Sequence, residues 1–444
     1  MSDKDAVAAS HTTALQLVQA AKAATAAGRS ADADELLARA ARLAPAHPAV
    51  LNELGLSLMR YGRAGEARSL FERATAADPR HPALWSNLAS SLHALRLIEE
   101  EARAIEQALK LEPRHVPALL QKGALLEDRG EPRQAARLYR DALALVPPDV
   151  TLPATLGAAL ERAREAVQRD DAALARAIEE RLANIRDRHG GGPYRRMDRC
   201  IDLLTGRRHR YAPQPTFLYY PELPAVEFFD RAQFPWLDAI EATTDAIRSE
   251  LAAVLSADPA GLTPYVAYPD DAPLAQWNEL NKSRRWSAYF LWNEGVAQGE
   301  HLARCPRTAE ALKGAPLCDI AQHGPSAFFS ILEPGTHIPP HTGVTNARAT
   351  VHLPLVVPLN CAFRVGSETR EWIPGKAWVF DDTIEHEAWN RSDSPRAILI
   401  FDIWNPYLSD AERDLVRGAI EVIGAYRADG GARHHEPASE PAVR

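Results

Sequence analysis

Four histidines, His337, His341, His352 and His386, fall within 50 residues of a 444-residue chain that holds 15 in all. His341 stands in Pro339-Pro340-His341-Thr342-Gly343, at a turn leaving a strand. His386 stands in Phe380-Asp381-Asp382-Thr383-Ile384-Glu385-His386-Glu387, ahead of the last long apolar run. Imidazole nitrogens suit iron, copper, nickel or zinc. The gap of 45 residues between His341 and His386 is what a β-sandwich needs to bring two ligands from opposite strands to one metal. Taken singly, each histidine is more often a satisfied core or surface group; the pair in these two contexts is what points to a metal. Cys200, Cys305, Cys318 and Cys361 form no CxxC pair, and no HExxH is present. A zinc hydrolase or a zinc-stapled fold is therefore a poor fit.

The elements around these residues read as strands. From about residue 325, short β-branched and aromatic runs occur at 327–332, 349–357, 362–365, 371–373, 377–380 and 396–404, with turns at 333–335, 366–367 and 374–375. Many short strands at even spacing predict a jelly roll or barrel. Within one strand, residues 348, 350 and 352 share a face.

The N-terminal part is built differently. Through about residue 187 it is rich in Ala, Leu, Arg and Glu, and several positions recur every 34 residues. Pro45, Pro79, Pro113 and Pro147 form one track, Ala40, Ala74, Ala108 and Ala142 a second, and Leu37, Phe71, Ile105 and Tyr139 a third. Ala21, Gly55, Ala89, Gly123 and Gly157 mark a small-residue track, and Gly28, Gly62 and Gly130 a turn track that Arg96 interrupts. Small residues let two helices of a hairpin approach, bulky ones fill the space between hairpins, glycine turns the chain and proline stops a helix. This pattern resembles the tetratricopeptide repeat family, with four repeats over 12–147 and a concave groove of the kind that holds an extended peptide. Gly157 starts a further helix expected to cap the stack, so residues 148–189 read as capping and connecting helices. Residues 190–193, Gly-Gly-Gly-Pro, read as a hinge, 190–428 as the second domain, and 429–444 as a disordered tail.

Composition narrows the partners. Apolar residues are 46% and charged residues 25%, and 51 Lys and Arg against 59 Asp and Glu leave a net charge of -8. The absence of a basic excess argues for no nucleic-acid and no membrane partner. No run of about 18 apolar residues is present, and the start lacks an apolar signal core. The expected compartment is the cytoplasm.

One resemblance is specific. The segments 334–343, His352-Leu353, Pro358, Gly375-Lys376, 380–387 with Trp389, and 402–406 are similar to the aspartyl/asparaginyl β-hydroxylase family. Weaker counterparts lie at 216–224, 234–236, 286–292 and 313–316. The resemblance implies an α solenoid of tetratricopeptide repeats followed by an all-β double-stranded β-helix (jelly-roll) oxygenase domain with flanking helices. It implies a dioxygenase using Fe(2+), 2-oxoglutarate and O2 to hydroxylate the β-carbon of Asp or Asn in a peptide or protein substrate, releasing succinate and carbon dioxide. That peptide would be held in the repeat groove. His341 and His386 would be the metal ligands, with Gly343 where many relatives carry a carboxylate. Arg396 and Ser330 would hold the far carboxylate of 2-oxoglutarate, His352 the metal-side carboxylate, and Trp286 would lie against the cosubstrate. Asp381, Asp382, Glu385 and Glu387 would fix the imidazole tautomer or the turn. Where the family is expected to carry an arginine this chain has Thr350, and Arg348 would compensate. Arg348, Arg364 and Arg370 are the candidate partners for a substrate carboxylate or amide. Two alternatives are a two-His iron halogenase and a non-catalytic peptide-binding scaffold built on the repeats.

Overall fold

The computed structural model describes residues 3–147, 153–190, 194–269, 275–321 and 323–429. The chain divides into two compact units, Met1–Gly206 and Arg207–Arg444. The expected tail, apart from Asp429, and all of the expected hinge but Gly190 lie outside the described residues.

The first unit is helical: α1 (Asp3–Ala26), α2 (Ser30–Leu43), α3 (Pro48–Arg60), α4 (Ala64–Ala77), α5 (Pro82–Ala94), α6 (Ile98–Leu111), α7 (Val116–Asp128), α8 (Pro132–Ala144), α9 (Ala154–Arg188) and α10 (Arg195–Leu204). Consecutive helices pair into hairpins from α1 with α2 to α7 with α8. The bulky track, Leu37, Phe71, Ile105 and Tyr139, is buried throughout. Two of the small-residue glycines sit under its two aromatics: a Cβ on Gly55 would lie 2.5 Å from the Phe71 ring, and one on Gly123 would collide with Tyr139. Where the small residue is Ala21 or Ala89, the bulky one is aliphatic, Leu37 or Ile105. The two tracks therefore trade volume to keep one packing distance. In the turn track Gly28, Gly62 and Gly130 have φ of 75°, 72° and 75°, and Arg96 takes the same left-handed turn at φ 57°. The 35-residue α9 runs through Gly157 unbroken, and its Leu160, Ala163 and Ala166 cover the Tyr139 side of the last hairpin.

The second unit holds two antiparallel sheets. Its strands are β1 (Thr263–Pro264), β2 (Trp286–Asn293), β3 (Val296–Ala297), β4 (Ala327–Leu332), β5 (Thr336–His341), β6 (Arg348–Val356), β7 (Cys361–Val365), β8 (Glu368–Glu371), β9 (Trp378–Phe380), β10 (His386–Asn390) and β11 (Arg396–Trp404). The larger sheet runs β1-β2-β4-β11-β6-β9 with β3 on β2, and the smaller runs β5-β10-β7-β8. Helices α11 (Leu237–Glu241), α12 (Thr244–Ala257), α13 (Gly299–Arg304), α14 (Pro306–Leu312) and α15 (Asp410–Asp429) complete the unit.

Alternation along the central strands decides what faces where. Ala397, Leu399, Phe401 and Ile403 of β11, with Ala349, Val351 and Leu353 of β6, join Leu237, Ile247 and Leu251 in the core beneath the helices. Their neighbours Arg396, Ile398, Ile400 and Asp402, with Arg348, Thr350 and His352, line a cavity on the other face. Ile338, Phe363 and Ala388 of the smaller sheet close the cavity from the opposite side.

Beyond residue 325, where the runs begin, two strands escape them. β5 carries Pro339 and Pro340, which argue against a strand interior; it survives because it is the edge of its sheet, where missing donors are tolerated. β10 is short and half-polar. The expected strand at 371–373 lies two to three residues earlier, at β8, so Trp372 falls just after it.

Candidate active site

The last residue of β5 faces the first residue of β10: His341 and His386 are direct partners in that antiparallel pair. Their ring centroids are 4.1 Å apart. The Nδ1 of His341 lies 2.8 Å from the Pro339 carbonyl oxygen, and that of His386 3.0 Å from the Ile384 carbonyl oxygen. A carbonyl only accepts, so each Nδ1 carries the proton and each Nε2 keeps its lone pair. Backbone carbonyls therefore set the tautomers, whereas the resemblance implied that the flanking carboxylates fix either the tautomer or the turn. Burial, then the neighbouring His386, holds His341 well below the usual imidazole range, and burial pulls His386 down to about 4. Both rings are neutral at pH 7, which is the form that binds a metal. Among the described residues no group of three or more His, Cys, Asp or Glu side chains is gathered as a metal site.

The same cavity, about 930 Å³ in volume, is lined by Arg396, His352, Ser330, Trp286 and Trp372. Arg396 is 1% exposed, which excludes a surface strand-edge arginine. Its Nε and Nη1 are buried without partners, as are His352 Nδ1 and Trp372 Nε1. Burial pulls Arg396 down to about 10, so it stays charged at pH 7. A buried guanidinium without an anion is strongly unfavourable. The site thus fits a dianionic ligand such as 2-oxoglutarate: a cation at one end, two imidazoles with free Nε2 at the other. Ser330 Oγ accepts the Trp286 indole N–H at 3.1 Å, which leaves its hydroxyl proton for an incoming oxygen. Trp286 stacks on Tyr265 with ring centroids 4.0 Å apart.

Arg348 and Thr350 also line the cavity. Arg348 Nη1 donates to Asp402 at 3.0 Å, and its Nη2 lies 3.8 Å from Asp382. Burial disfavours its charge, but the two carboxylates more than offset this and raise its pKa. The Thr350 side chain hydrogen-bonds Asp382. Arg348 is therefore engaged within the wall. The Asp382 carboxylate fills the space where a side chain at Gly343 would stand, and the Gly343 amide donates to the Asp382 carbonyl at 2.7 Å.

Other candidates lie apart from the cavity. His337 is exposed and bonds Glu387 at 2.7 Å. Arg364 bridges Glu385 and Glu387, and Arg370 covers the Phe228 ring at 3.8 Å. Neither arginine lines the cavity, so Arg348 alone of the three is positioned to meet a substrate there. Asp381 accepts from the Thr383 amide at 2.9 Å and from its hydroxyl at 2.6 Å, fixing the turn before β10. Trp277 and Trp372 were passed over in the sequence. Trp277 packs edge-on to His341 with centroids 5.2 Å apart, and its only sequence signal is an aromatic in a polar stretch.

Comparison with known proteins agrees with this geometry. Residues 241–406 match the family model described as aspartyl/asparaginyl beta-hydroxylase, and residues 24–92 match one for the tetratricopeptide repeat. The chain carries an aspartyl/asparaginyl β-hydroxylase domain with N-terminal tetratricopeptide repeats. It is 36% identical over 197 residues to the ornithine lipid ester-linked acyl 2-hydroxylase of Rhizobium tropici, covering 44% of this chain and 66% of that protein. It is 38% identical over 141 residues to the aspartyl/asparaginyl beta-hydroxylase of Homo sapiens, covering 32% of this chain and 18% of that protein. Aspartate beta-hydroxylase domain-containing protein 2 of Homo sapiens is 32% identical over 206 residues, covering 45% of this chain and 53% of that protein. The chain thus spans 18% to 66% of these relatives' own lengths. Over this domain the chain is similar to hydroxylases of that family.

Proposed function

We propose that this chain is an iron(II)- and 2-oxoglutarate-dependent hydroxylase that oxidises the β-carbon of Asp or Asn in a peptide or protein substrate. The observation that carries the cofactor assignment is the placement of His341 and His386, each with a free Nε2, in one cavity with the anion-free guanidinium of Arg396. Iron(II) would be held by His341 and His386. The far carboxylate of 2-oxoglutarate would be held by Arg396 and the Ser330 hydroxyl, with His352 near the metal-side carboxylate. With O2, the bound metal and cosubstrate supply an oxidant that replaces C–H by C–OH while 2-oxoglutarate leaves as succinate and carbon dioxide. The chain's own part is placement and dryness. Trp277 and Trp286 wall the metal end against water, backbone carbonyls hold both imidazoles in the ligating tautomer, and Arg396 orients the cosubstrate. The repeat groove would present an extended polypeptide.

A second substrate class has a specific observation behind it. Tyr265, Phe290, Phe328, Ile400, Ile420 and Ile423 also line the cavity, giving it an apolar wall, and Arg348 is already held by two carboxylates. An acyl chain would suit that wall, and one relative is named as an acyl 2-hydroxylase. A halogenase is a poorer fit, since a halide beside Gly343 would face the Asp382 carboxylate.

The test is mass spectrometry of a peptide library and of a bacterial lipid extract, each incubated with the full chain, iron(II), ascorbate and 2-oxoglutarate. A gain of one oxygen on Asp or Asn peptides supports the first reading; a gain confined to acyl chains replaces it with the second. Succinate production no greater than in His341→Ala would overturn both in favour of a binding scaffold.

A further inference from the structure

Trp372 follows β8 and is 4% exposed. Its indole N–H is one of the buried donors with no partner, although its residue lines the cavity. Burying an N–H without an acceptor costs free energy. A tryptophan kept for bulk alone could be phenylalanine without that cost. The surroundings say what the missing acceptor is. The Arg396 guanidinium carbon lies 4.9 Å from the centroid of the Trp372 ring, and the His352 ring is 6.2 Å away. Trp372 thus lies near both the cation that awaits a carboxylate and the unpartnered Nδ1 of His352.

Trp378 supplies an internal comparison. Its ring stacks against Trp372 with centroids 6.0 Å apart, and its N–H is also buried without a partner. Trp378 does not line the cavity. The two indoles share one aromatic cluster and differ in whether a ligand in the cavity can reach them.

We propose that Trp372 is a positioning residue whose indole N–H donates to the far carboxylate of 2-oxoglutarate, beside Arg396. This rests on the cosubstrate reading above. Arg396 supplies the charge; Trp372 would supply a fixed direction, because an indole N–H lies in the ring plane and that ring is packed against Phe363, 5.6 Å between centroids, as well as Trp378. A carboxylate bridged by the two would be held in one rotational setting, which aims the keto acid at the imidazoles.

The experiment is calorimetric titration of 2-oxoglutarate into the manganese(II)-loaded full chain under argon, for wild type, Trp372→Phe, Trp378→Phe and Arg396→Met. Melting temperatures with and without 2-oxoglutarate are measured alongside. The expected result is a Kd raised about tenfold or more in Trp372→Phe, since hydrogen bonds to charged groups contribute roughly 1.5–3 kcal/mol. Its ligand-free melting temperature should stay near wild type and its ligand-induced rise should shrink. Trp378→Phe should bind as wild type does. A Kd within about twofold of wild type in Trp372→Phe overturns the proposal and leaves the cosubstrate reading intact. An equal loss in both phenylalanine variants also overturns it, by assigning the effect to packing. If wild type takes up no 2-oxoglutarate, the cosubstrate reading itself falls, and this proposal with it.

Discussion

The carboxylate of Asp382 occupies the place that a side chain at position 343 would need. Any Cβ on Gly343 would run into it, and the Gly343 amide is bonded to the carbonyl of the same aspartate. The glycine two residues after His341 is therefore more than the loss of a ligand. Its neighbour has taken the space and is itself tied to Arg348 and Thr350.

Gly343→Asp should consequently fail to create a three-ligand metal site. The new side chain would displace a buried carboxylate and unpair Arg348, destabilising the fold by about 3 kcal/mol or more. Chemical denaturation and a metal titration check this; tighter metal binding with unchanged stability would refute it.

His341→Ala and His386→Ala should each lower metal affinity by roughly 100-fold or more, beyond what loss of a supporting partner costs. Neither should weaken the metal-free fold greatly, because both rings sit in a cavity wall. Isothermal titration with iron(II) or manganese(II), set beside metal-free melting curves, separates the two effects.

Arg396→Met should stabilise the ligand-free protein, or leave it unchanged, while abolishing stabilisation by 2-oxoglutarate. An unpaired buried cation is replaced by an apolar chain of similar length, a change known to gain about 1–4 kcal/mol at buried ion sites. The stacking on Trp372 at 4.9 Å subtracts about 0.5–2 kcal/mol from that gain. A melting series with and without ligand decides it.

The metal-free protein should lose stability as pH falls below about 6.5. His386 has its pKa pulled down to about 4 by burial, so the unfolded chain takes up its proton first. This contribution is fully present above the unfolded value and is lost as pH drops towards about 4. His341 and His352 shift in the same direction. The loss from His386 is on the order of 3 kcal/mol. A pH series of denaturant midpoints measures it, and His386→Ala should flatten part of the slope.

In the repeats, Gly65→Ala and Gly123→Ala should move stability in opposite directions. A Cβ on Gly65 meets open space, so alanine should gain about 0.5–1 kcal/mol from helix propensity. A Cβ on Gly123 runs into Tyr139 and should cost about 1–3 kcal/mol. Arg96→Gly should gain about 1 kcal/mol by relieving a left-handed backbone at φ 57°. Thermal unfolding of the three variants provides the comparison.

How much of this was legible beforehand follows from how each part is held together. The repeats could be read from spacing because each hairpin touches only its neighbours, so the same contact recurs every 34 residues and leaves a track in the chain. The pairing of Gly55 with Phe71 and Gly123 with Tyr139 was present in those tracks too. Short β-branched and aromatic runs likewise announced β4, β6 and β11, and the two-residue strand period the face shared by Arg348, Thr350 and His352. Three-dimensional packing alone decided the rest. Whether Pro339 and Pro340 could lie in a strand depended on that strand being an edge. Whether Arg348 was free depended on Asp382 and Asp402, 34 and 54 positions away along the chain, arriving beside it. That the carbonyls of Pro339 and Ile384 set the two imidazoles, and that Trp372 and not Trp378 reaches the cavity, depends on directions of atoms, which residue order does not encode. Residue types and intervals carry which chemistry is at hand; burial and orientation, settled by the packing of distant segments, carry which groups remain unpaired and open to a ligand.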